Sequence, residues 1–377
     1  MRQSNYSRMK KVPALSRFKI TLIILSVIIV ITGCSSGYRK KNGRVTFNGD
    51  EIADKNFVVL NESFGKSDST AYYKRYALAG VDLASFSGLD KHYAKDKSTV
   101  YYCDEEREGQ NYYLTKHSVI SKVAGALPAS FQILGEGYEG YARDEKRAYI
   151  KGNGFEVKDA ASLSIISTDF LKDSYQVYFE REVVKQADPF SFRVLNNNYA
   201  KDTNRVYYFG YHSDLYNGIH EIPCNAATFS LLEYPYSRDD KSVFHLYSRI
   251  TGADPLTFSV NERHAKDKNH VYAEGKAIPG ADPLSFESFP QEESPDEMNY
   301  SKDKAHIYWK DKPFTVSQLA AFTPLGLDYG MDRKQVYYKT KALKTADPST
   351  FRVYDHGYGE QDAADSKHQY LKGVLLP

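Results

Sequence analysis

The sequence has few of the residues from which catalytic and metal sites are built. Three of its 377 residues are cysteines and ten are histidines. No spacing matches a Ser/His/Asp or Cys/His set, a carboxylate pair or a glycine-rich phosphate loop. We therefore expect a protein that is not an enzyme and that holds no metal ion or other cofactor.

Positive charge is not in excess beyond the N-terminus. Residues 1–33 contain six of the 50 basic residues and none of the 48 acidic ones, which leaves 44 basic and 48 acidic side chains in the remainder. Nucleic-acid binding depends on clustered Lys and Arg side chains that neutralise phosphates. Because the remainder has no such cluster, we expect no nucleic-acid partner.

The chain also lacks an apolar run long enough for a transmembrane helix. Its longest run, residues 20–31, falls within the 14 residues between Lys19 and Cys34. A helix needs about 18–20 apolar residues to span a bilayer. A basic start followed by a short apolar run is typical of a secretory signal. The alternative is a short uncleaved anchor with a chance cysteine.

The segment Ile31-Thr32-Gly33-Cys34 resembles the lipobox of bacterial lipoproteins, in which the cysteine becomes the acylated, palmitate-bearing first residue. The resemblance implies a signal peptide over 1–33, lipidation at Cys34 and a very short tether over 34–37. It also implies a cell-envelope location, at the outer membrane if the organism has two membranes and otherwise at the extracellular face of the cell membrane. The membrane is then a partner through the lipid, and the rest of the chain should project from it.

What the sequence does contain is one short phrase repeated eleven times. In Tyr93-Ala-Lys-Asp96, for example, a basic residue precedes the Asp, and an aromatic residue, Tyr101, follows five places later. The residues at the Asp position, called signature residues below, number the copies 1 to 11 in this order: Lys41, Ser67, Asp96, Asp144, Asp173, Asp202, Asp239, Asp267, Asp303, Asp332 and Asp365. Their base spacing is 29 residues. Such a period is typical of repeat proteins whose units cannot bury a core alone.

Each copy also contains a second phrase, such as Ala187-Asp-Pro-Phe-Ser-Phe192. Asp before Pro predicts one helical turn with Asp as the N-cap, called the corner below. The segments that flank the signature residue are rich in strand formers, and the signature Asp should start a turn by accepting a backbone amide two residues on. Gly275 and Gly373 predict a tight hairpin with positive φ. Each copy is thus predicted to be a three-stranded meander with a corner.

These features predict a mostly β fold over residues 38–377. Short antiparallel meanders with Asp-Pro corners, one per 29-residue repeat, should stack into an elongated array or solenoid. The Val-Tyr-Tyr strand carries apolar residues on both faces, so it should be covered on both sides. A closed, propeller-like ring is the alternative.

Insertions into the repeat supply the candidate binding residues. Residues 103–120 and 209–222 both follow the Val-Tyr-Tyr strand, so they should emerge at the same edge of the array. Insertions on one face of a repeat protein commonly form its binding surface. A third, acidic insertion over 291–298 enters at a different point of the repeat. The predicted binding residues are Tyr112, Tyr113, Tyr211, His212 and Tyr216.

Other recurring residues are predicted to be structural. The slot of His270 holds ordinary turn residues in most copies, so we expect no histidine metal ladder. The basic residue before the signature Asp, such as Lys172, is predicted to be a solvated charge that discourages edge-to-edge aggregation. Cys103 and Cys224 lie in copies three steps apart, too far for a disulfide, so both should be free thiols.

The phrases Tyr-Ala-Lys-Asp-Lys-x-x-Val-Tyr-Tyr and Gly-Ala-Asp-Pro-x-Ser-Phe alternate over residues 38–377 and resemble the DKNYY family, bacterial repeat proteins of which many are secreted or membrane-anchored. The resemblance implies a repeat architecture and an envelope location, and no catalytic residue. We expect a non-catalytic scaffold that binds an envelope protein or a glycan. The alternative is an envelope-polymer hydrolase with its site between insertions. Convergence of Asp104, Glu105, His212 and His220 would favour the hydrolase.

Overall fold

The structure, a computed structural model, is described over residues 37–41, 44–52, 56–107, 116–135, 140–210, 218–261, 264–289, 299–354 and 361–377. These residues form eleven antiparallel sheets, one for each sequence copy, with three strands in copy 1 and four in each other copy. Single 3-10 turns lie at Ala160–Ser162 and Leu319–Ala321. Among the described residues, no helix has the length and apolarity to span a bilayer. The predicted β-repeat architecture is confirmed.

The strands of each copy are named first to fourth in chain order, and copy 1 has no first strand. First strands are Val58–Val59, Ser87–Gly88, Gln132–Ile133, Ser164–Ile165, Arg193–Val194, Ser230–Leu231, Ser259–Asn261, Glu287–Ser288, Thr323–Gly326 and Arg352–Val353. Second strands are Tyr38–Lys41, Phe64–Lys66, Tyr93–Lys95, Tyr141–Arg143, Phe170–Lys172, Tyr199–Lys201, Tyr236–Arg238, His264–Lys266, Tyr300–Lys302, Tyr329–Met331 and Ala363–Ala364. Third strands are Arg44–Phe47, Ala71–Tyr73, Val100–Glu106, Arg147–Ile150, Val177–Phe179, Val206–Gly210, Val243–His245, Val271–Ala273, Ile307–Trp309, Val336–Tyr338 and Gln369–Leu371. Fourth strands are Asp50–Ile52, Tyr76–Leu78, His117–Lys122, Asn153–Glu156, Glu182–Val183, Gly218–Ile222, Ser248–Arg249, Lys276–Ala277, Lys312–Phe314, Lys341–Leu343 and Val374–Leu375.

Copies 2 to 11 have one strand more than predicted. The additional fourth strand follows the hairpin turn and pairs with the third strand, as where Phe179 faces Glu182 in copy 5. It has two or three residues in most copies and is largely exposed. A strand that short shows no alternation of apolar and polar residues that would reveal it. The three-stranded meander was therefore wrong, whereas Gly275 and Gly373 do lie in hairpin turns with φ of +74°.

Because the strands of each sheet are antiparallel, the connections between them lie at the two ends of the strands. In the array these strand ends form two opposite edges. The first-to-second connection and the third-to-fourth hairpin lie at one edge, called the insertion edge. The second-to-third turn, which holds the signature residue, and the corner lie at the other edge, called the corner edge. Each copy thus separates its variable connections from its regular ones.

The signature Asp holds three segments of its copy together. In all nine copies that have it, one carboxylate oxygen accepts the backbone N–H groups two and three residues on, which confirms the predicted turn. The other oxygen accepts a backbone N–H of the preceding corner. In copy 5, Asp173 also accepts the hydroxyl of Tyr178 at 2.6 Å. The Asp therefore fixes the turn, the corner and the third strand relative to one another.

The hydrophobic core lies between the sheets. Each of ten clusters of buried side chains draws its members from two consecutive copies, as where Phe179 of copy 5 contacts Phe209 of copy 6. A sheet with strands of two to four residues is not stable alone, so stacking supplies the burial. Among the described residues no cluster joins copy 1 to copy 11. The copies accordingly form an elongated array and not a closed ring.

An aromatic residue at the start of the second strand ties many copies to the next one. The Tyr93 hydroxyl of copy 3 donates to the Gly140 carbonyl and accepts the Gly152 N–H at 2.8 Å, both in copy 4. Gly373 of copy 11 donates to the Tyr329 hydroxyl of copy 10 in the same way, at 2.7 Å. These bonds give the array a direction, because each tyrosine that makes them contacts the copy that follows its own.

The basic residue before the signature position makes a second tie, and its predicted role was wrong. In copies 2 to 8 its side chain donates to a corner carbonyl of the next copy, as Lys172 does to Pro189 at 2.8 Å. The accepting carbonyl belongs to the corner residue directly after the N-cap position in every case. The charge is thus used to satisfy a helical-turn carbonyl, and it is not simply solvated.

Candidate functional site

The insertion edge collects the irregular parts of the repeat. The two long hairpins of copies 3 and 6 turn there, since Val100–Glu106 pairs with His117–Lys122 and Val206–Gly210 pairs with Gly218–Ile222. Much of each predicted insertion therefore extends the strands. The third insertion joins the first and second strands of copy 9, and the antiparallel order brings these strand ends to the same edge. It therefore enters at a different point of the repeat, as predicted, and still lies at the insertion edge.

The five predicted binding residues lie outside the described residues. Tyr112 and Tyr113 belong to the connection over 108–115 in copy 3, and Tyr211, His212 and Tyr216 to the connection over 211–217 in copy 6. Cys34 likewise precedes the first described residue. Their roles in binding and lipidation stay predictions.

Charged pairs occupy the base of the copy 3 hairpin. Glu105 accepts a hydrogen bond from Lys74 at 2.8 Å and lies 3.5 Å from Lys116. Burial raises the pKa of Glu105, but the hydrogen bonds and charges of Lys74 and Lys116 together outweigh it and lower the pKa below its usual value. Asp104 lies 3.6 Å from His92. These acidic groups are engaged by neighbouring side chains at the point where the hairpin leaves the array.

Aromatic rings occupy the base of the copy 6 hairpin. His220 stacks on Tyr247 with ring centroids 4.1 Å apart, and Tyr208 lies 5.9 Å from the same ring. Tyr247 belongs to the hairpin turn of copy 7. His220 therefore joins two copies by ring contact, and it lies three repeat steps from Asp104 and Glu105. The described members of the hydrolase constellation are not brought together.

A cleft of about 280 Å³ opens on the insertion edge between copies 9 and 11. Three of its lining residues occupy the same position, directly before the second strand, in consecutive copies. The lining residues are Asn299, Leu327, Asp328, Tyr338, Asp362 and Lys372. The lining thus combines two aspartates, one asparagine, one lysine and one tyrosine with a leucine, and the Asp362 carboxylate already accepts the Tyr329 hydroxyl and the Lys372 N–H.

The single tryptophan of the chain lies beside this cleft. Asp328 accepts hydrogen bonds from the Trp309 indole N–H at 2.8 Å and from the Asn299 amide at 2.7 Å. The ammonium groups of Lys310 and Lys339 lie 5.2 and 5.0 Å from the centre of the indole ring. Hydrogen bonds and cation–π contacts therefore hold the indole in one orientation.

A second cleft, of about 320 Å³, continues along the insertion edge toward copy 8. It shares Asn299 with the first cleft. Its lining residues are His264, Ala273, Glu274, Lys276, Asn299, Lys310 and Asp311. Together the two clefts follow four consecutive copies. Sequence reasoning missed them, although aligning the copies by their second strands would have shown the polar position shared by Asn299, Asp328 and Asp362.

Metal and thiol chemistry receive little support from the described part of the chain. There, no group of three or more His, Cys, Asp and Glu side chains is arranged to hold a metal ion. The repeated histidine faces the Asp of its own copy, as His368 does Asp365 at 3.1 Å. Cys103 and Cys224 are free, as predicted. Burial raises the pKa of each thiol to about 12, so both stay protonated and weakly nucleophilic at neutral pH.

Comparison with known proteins gives one match. The model of the DKNYY family matches residues 2–105, 106–248 and 236–374, which together take in nearly the whole chain. No curated protein and no solved structure is significantly similar to it.

Proposed function

The chain belongs to the DKNYY family, and on that premise we propose that it is a lipid-anchored cell-envelope protein that binds a protein or glycan partner without catalysing a reaction. One observation carries the proposal: the insertions of copies 3, 6 and 9 and both clefts fall on one edge of a regular array. Repeat proteins commonly bind through such a surface.

The proposed anchor is the lipid on Cys34, delivered by the signal over residues 1–33. Because the first sheet begins at Tyr38, only a very short tether separates the array from the lipid. The membrane is then one partner, and the insertion edge faces the other. A hydrolase remains the second sequence hypothesis, but nothing in the described part of the chain favours it.

The residues that line the two clefts limit the chemical classes of ligand that we expect. Their linings combine carboxylate, amide and ammonium groups with Tyr338 and border Trp309. Such sets of donors and acceptors beside aromatic rings suit the hydroxyl groups of a glycan or the backbone of a peptide. The same linings offer no excess of positive charge that would select a nucleic acid.

In-cell photocrosslinking tests the proposal. A photoreactive residue replaces Tyr112 in one variant and Tyr216 in a second, and the same residue replaces Ala129 on the corner edge as a matched control. We expect the two insertion-edge variants to capture the same partner and the control to capture none. A partner captured equally by the control would contradict binding through the insertion edge.

Shortened hairpins give the complementary loss of function. The strands pair as far as Glu106 with His117 and Gly210 with Gly218, so residues 108–115 and 211–217 can be replaced by two-residue turns without cutting a strand. We expect the shortened protein to keep its urea-unfolding midpoint and to lose the partner. Retained capture at unchanged stability would move the binding surface away from these insertions.

A further inference from the structure

The corner carries one position that points to solvent in every described copy. It is the second residue after the N-cap position, and it is exposed in all nine described corners. It is apolar in eight of the nine copies, the residues being Ala84, Ala129, Ala161, Phe190, Ala227, Leu256, Leu284, Ala320 and Ser349.

Three copies hold large apolar side chains at this position. Phe190, Leu256 and Leu284 are 83, 85 and 89 % exposed, and every other large hydrophobic side chain of the described residues is at most 65 % exposed. Isolated exposed hydrophobic residues need no explanation, but three at one repeated position form a pattern. The three most exposed large apolar side chains of the described residues therefore all occupy the same position of the corner.

The repeat arranges these side chains in a row. Each corner is tied to the signature Asp of its own copy, and copies 5 and 8 each donate a Lys side chain to the corner of the next copy, as Lys266 does to Pro283. Successive corners consequently follow one another along the corner edge. Leu256 and Leu284 stand in adjacent copies, and Ala227 separates Leu256 from Phe190.

Cationic side chains flank the row. The signature turns of copies 7, 8 and 9 expose Lys241, Lys268 and Lys304. Lys268 and Lys304 also pair with the N-cap residues of the corners of their own copies, Asp254 at 2.6 Å and Asp282 at 3.1 Å. Asp240, Asp254 and Asp282 balance these lysines, so the large apolar tips and not a net charge would carry binding to the interface of a membrane.

We propose that the corner edge of copies 6 to 9 rests on the lipid bilayer, with Phe190, Leu256 and Leu284 dipping into its interface. The inference rests on the lipid anchor of the proposed function. Each tip projects singly from its own turn, so a protein partner would need pockets at the repeat spacing, whereas a fluid bilayer needs none. Three side chains hold a soluble protein weakly, but the anchor keeps them at a high effective concentration near the membrane.

This placement turns the insertion edge outward. The two edges lie on opposite sides of every sheet, so a corner edge on the membrane leaves the clefts and the long hairpins facing away from it. The array then lies along the membrane surface, in contrast to the sequence expectation that it projects.

Fluorescence quenching by brominated lipids tests the inference, because the chain has one tryptophan, which lies on the insertion edge. The lipidated full-length protein is reconstituted into vesicles of phosphatidylcholine with phosphatidylglycerol, with and without bromine on the acyl chains. In a Trp309→Phe background, Leu284→Trp places the reporter on the corner edge. Tyr234→Trp, at a residue 52 % exposed on the insertion edge, is the matched control.

We expect the Leu284→Trp reporter to lose most of its emission in brominated vesicles, and the Tyr234→Trp reporter and native Trp309 to lose little. Vesicle-bound protein with neither reporter quenched would overturn the inference and leave the anchor intact. Protein that fails to float with the vesicles would overturn the anchor and the inference together. If the emission of the Leu284→Trp reporter changed with protein concentration and not with bromine, the exposed apolar side chains would contact a second copy of the chain, and the inference would be overturned. If Trp309→Phe does not fold, Leu284→Trp is measured with Trp309 retained and the wild-type signal subtracted.

Discussion

Replacing Asp173 tests whether a single carboxylate holds each copy together. One of its oxygens accepts two turn amides, and the other accepts two corner amides and the Tyr178 hydroxyl. Asp173 is 3 % exposed. Asp173→Ala removes five hydrogen bonds at once, so it should be among the most damaging substitutions that leave the apolar core intact.

The magnitude follows from the type of bond. A hydrogen bond to a charged group contributes about 1.5–3 kcal/mol net, and bonds that share one group do not add independently. We therefore expect Asp173→Ala to lower the free energy of unfolding by about 4 kcal/mol. The chain offers an intermediate state, because Ser67 occupies the signature position in copy 2 and accepts two turn amides at 3.2 and 3.0 Å. Asp173→Ser should keep the turn, lose the corner and cost about 2–3 kcal/mol.

Two readouts measure the effect. Urea titration followed by circular dichroism gives the global change, and hydrogen exchange at the amides of Lys158 and Asp159 reports the corner directly. Asp311→Ala, at an exposed carboxylate on the insertion edge, is the control and should change neither. A loss below about 1 kcal/mol for Asp173→Ala would refute the reasoning. Equal losses for the Ser and Ala variants would refute the separate contribution of the turn.

Three other results are expected. In seven of the signature carboxylates burial raises the pKa but hydrogen bonds outweigh it, so their folded-state pKa values lie below the usual 3.8. The stabilisation by these carboxylates is present above the unfolded-state pKa and is lost as pH falls through the folded-state pKa. The urea concentration at the unfolding midpoint should therefore decrease as the pH is lowered from about 5 to about 2. A midpoint that does not change with pH over this range would contradict the prediction. In the copies that have both a signature Asp and a Tyr five places later, the Tyr hydroxyl is directed at the carboxylate, whereas copy 7 has Phe244 at that place. Phe244→Tyr should add a hydrogen bond to Asp239 and raise the free energy of unfolding by about 1 kcal/mol. An unchanged urea midpoint would contradict this. Gly152→Ala brings a Cβ to 2.8 Å from the Tyr102 Cβ at φ +76°, whereas Gly280→Ala meets nothing within 4 Å at φ +75°. In thermal melts both should lose about 1 kcal/mol from backbone strain, with a further steric loss only for Gly152→Ala, and equal losses would exclude the steric part.

The repeat and its turns could be predicted because their signals are local. An Asp that accepts an amide two residues on and a Pro that follows an N-cap depend on neighbours in the sequence. The fourth strand could not be predicted, since segments such as Glu182–Val183 are too short to show a period. The role of Lys172 was missed for another reason: its acceptor, the Pro189 carbonyl, lies 17 residues away on the next copy.

The candidate site could be predicted in outline only. The antiparallel order was enough to place the insertions of copies 3 and 6 on a common edge, and the order of the first three strands places the third insertion, between the first and second strands, on that edge as well. The first cleft takes Asn299, Asp328 and Asp362 from three copies. No single copy contains enough of that cleft to be recognised as a site, which is why reading one repeat at a time did not find it.

The ties between successive copies make the fold local in sequence. The hydrogen bond from Gly152 N–H to the Tyr93 hydroxyl spans 59 residues, the longest separation among the side-chain hydrogen bonds described, in a chain of 377. A native structure in which contacting residues are close in sequence has a low contact order, and the entropy lost when its loops close during folding is small. The chain can therefore acquire its structure progressively from the N-terminus, each copy becoming complete as the following copy emerges. A chain that folds in this order can begin to fold while the remainder is still unfolded, which suits a protein that crosses a membrane through a pore as an unfolded chain.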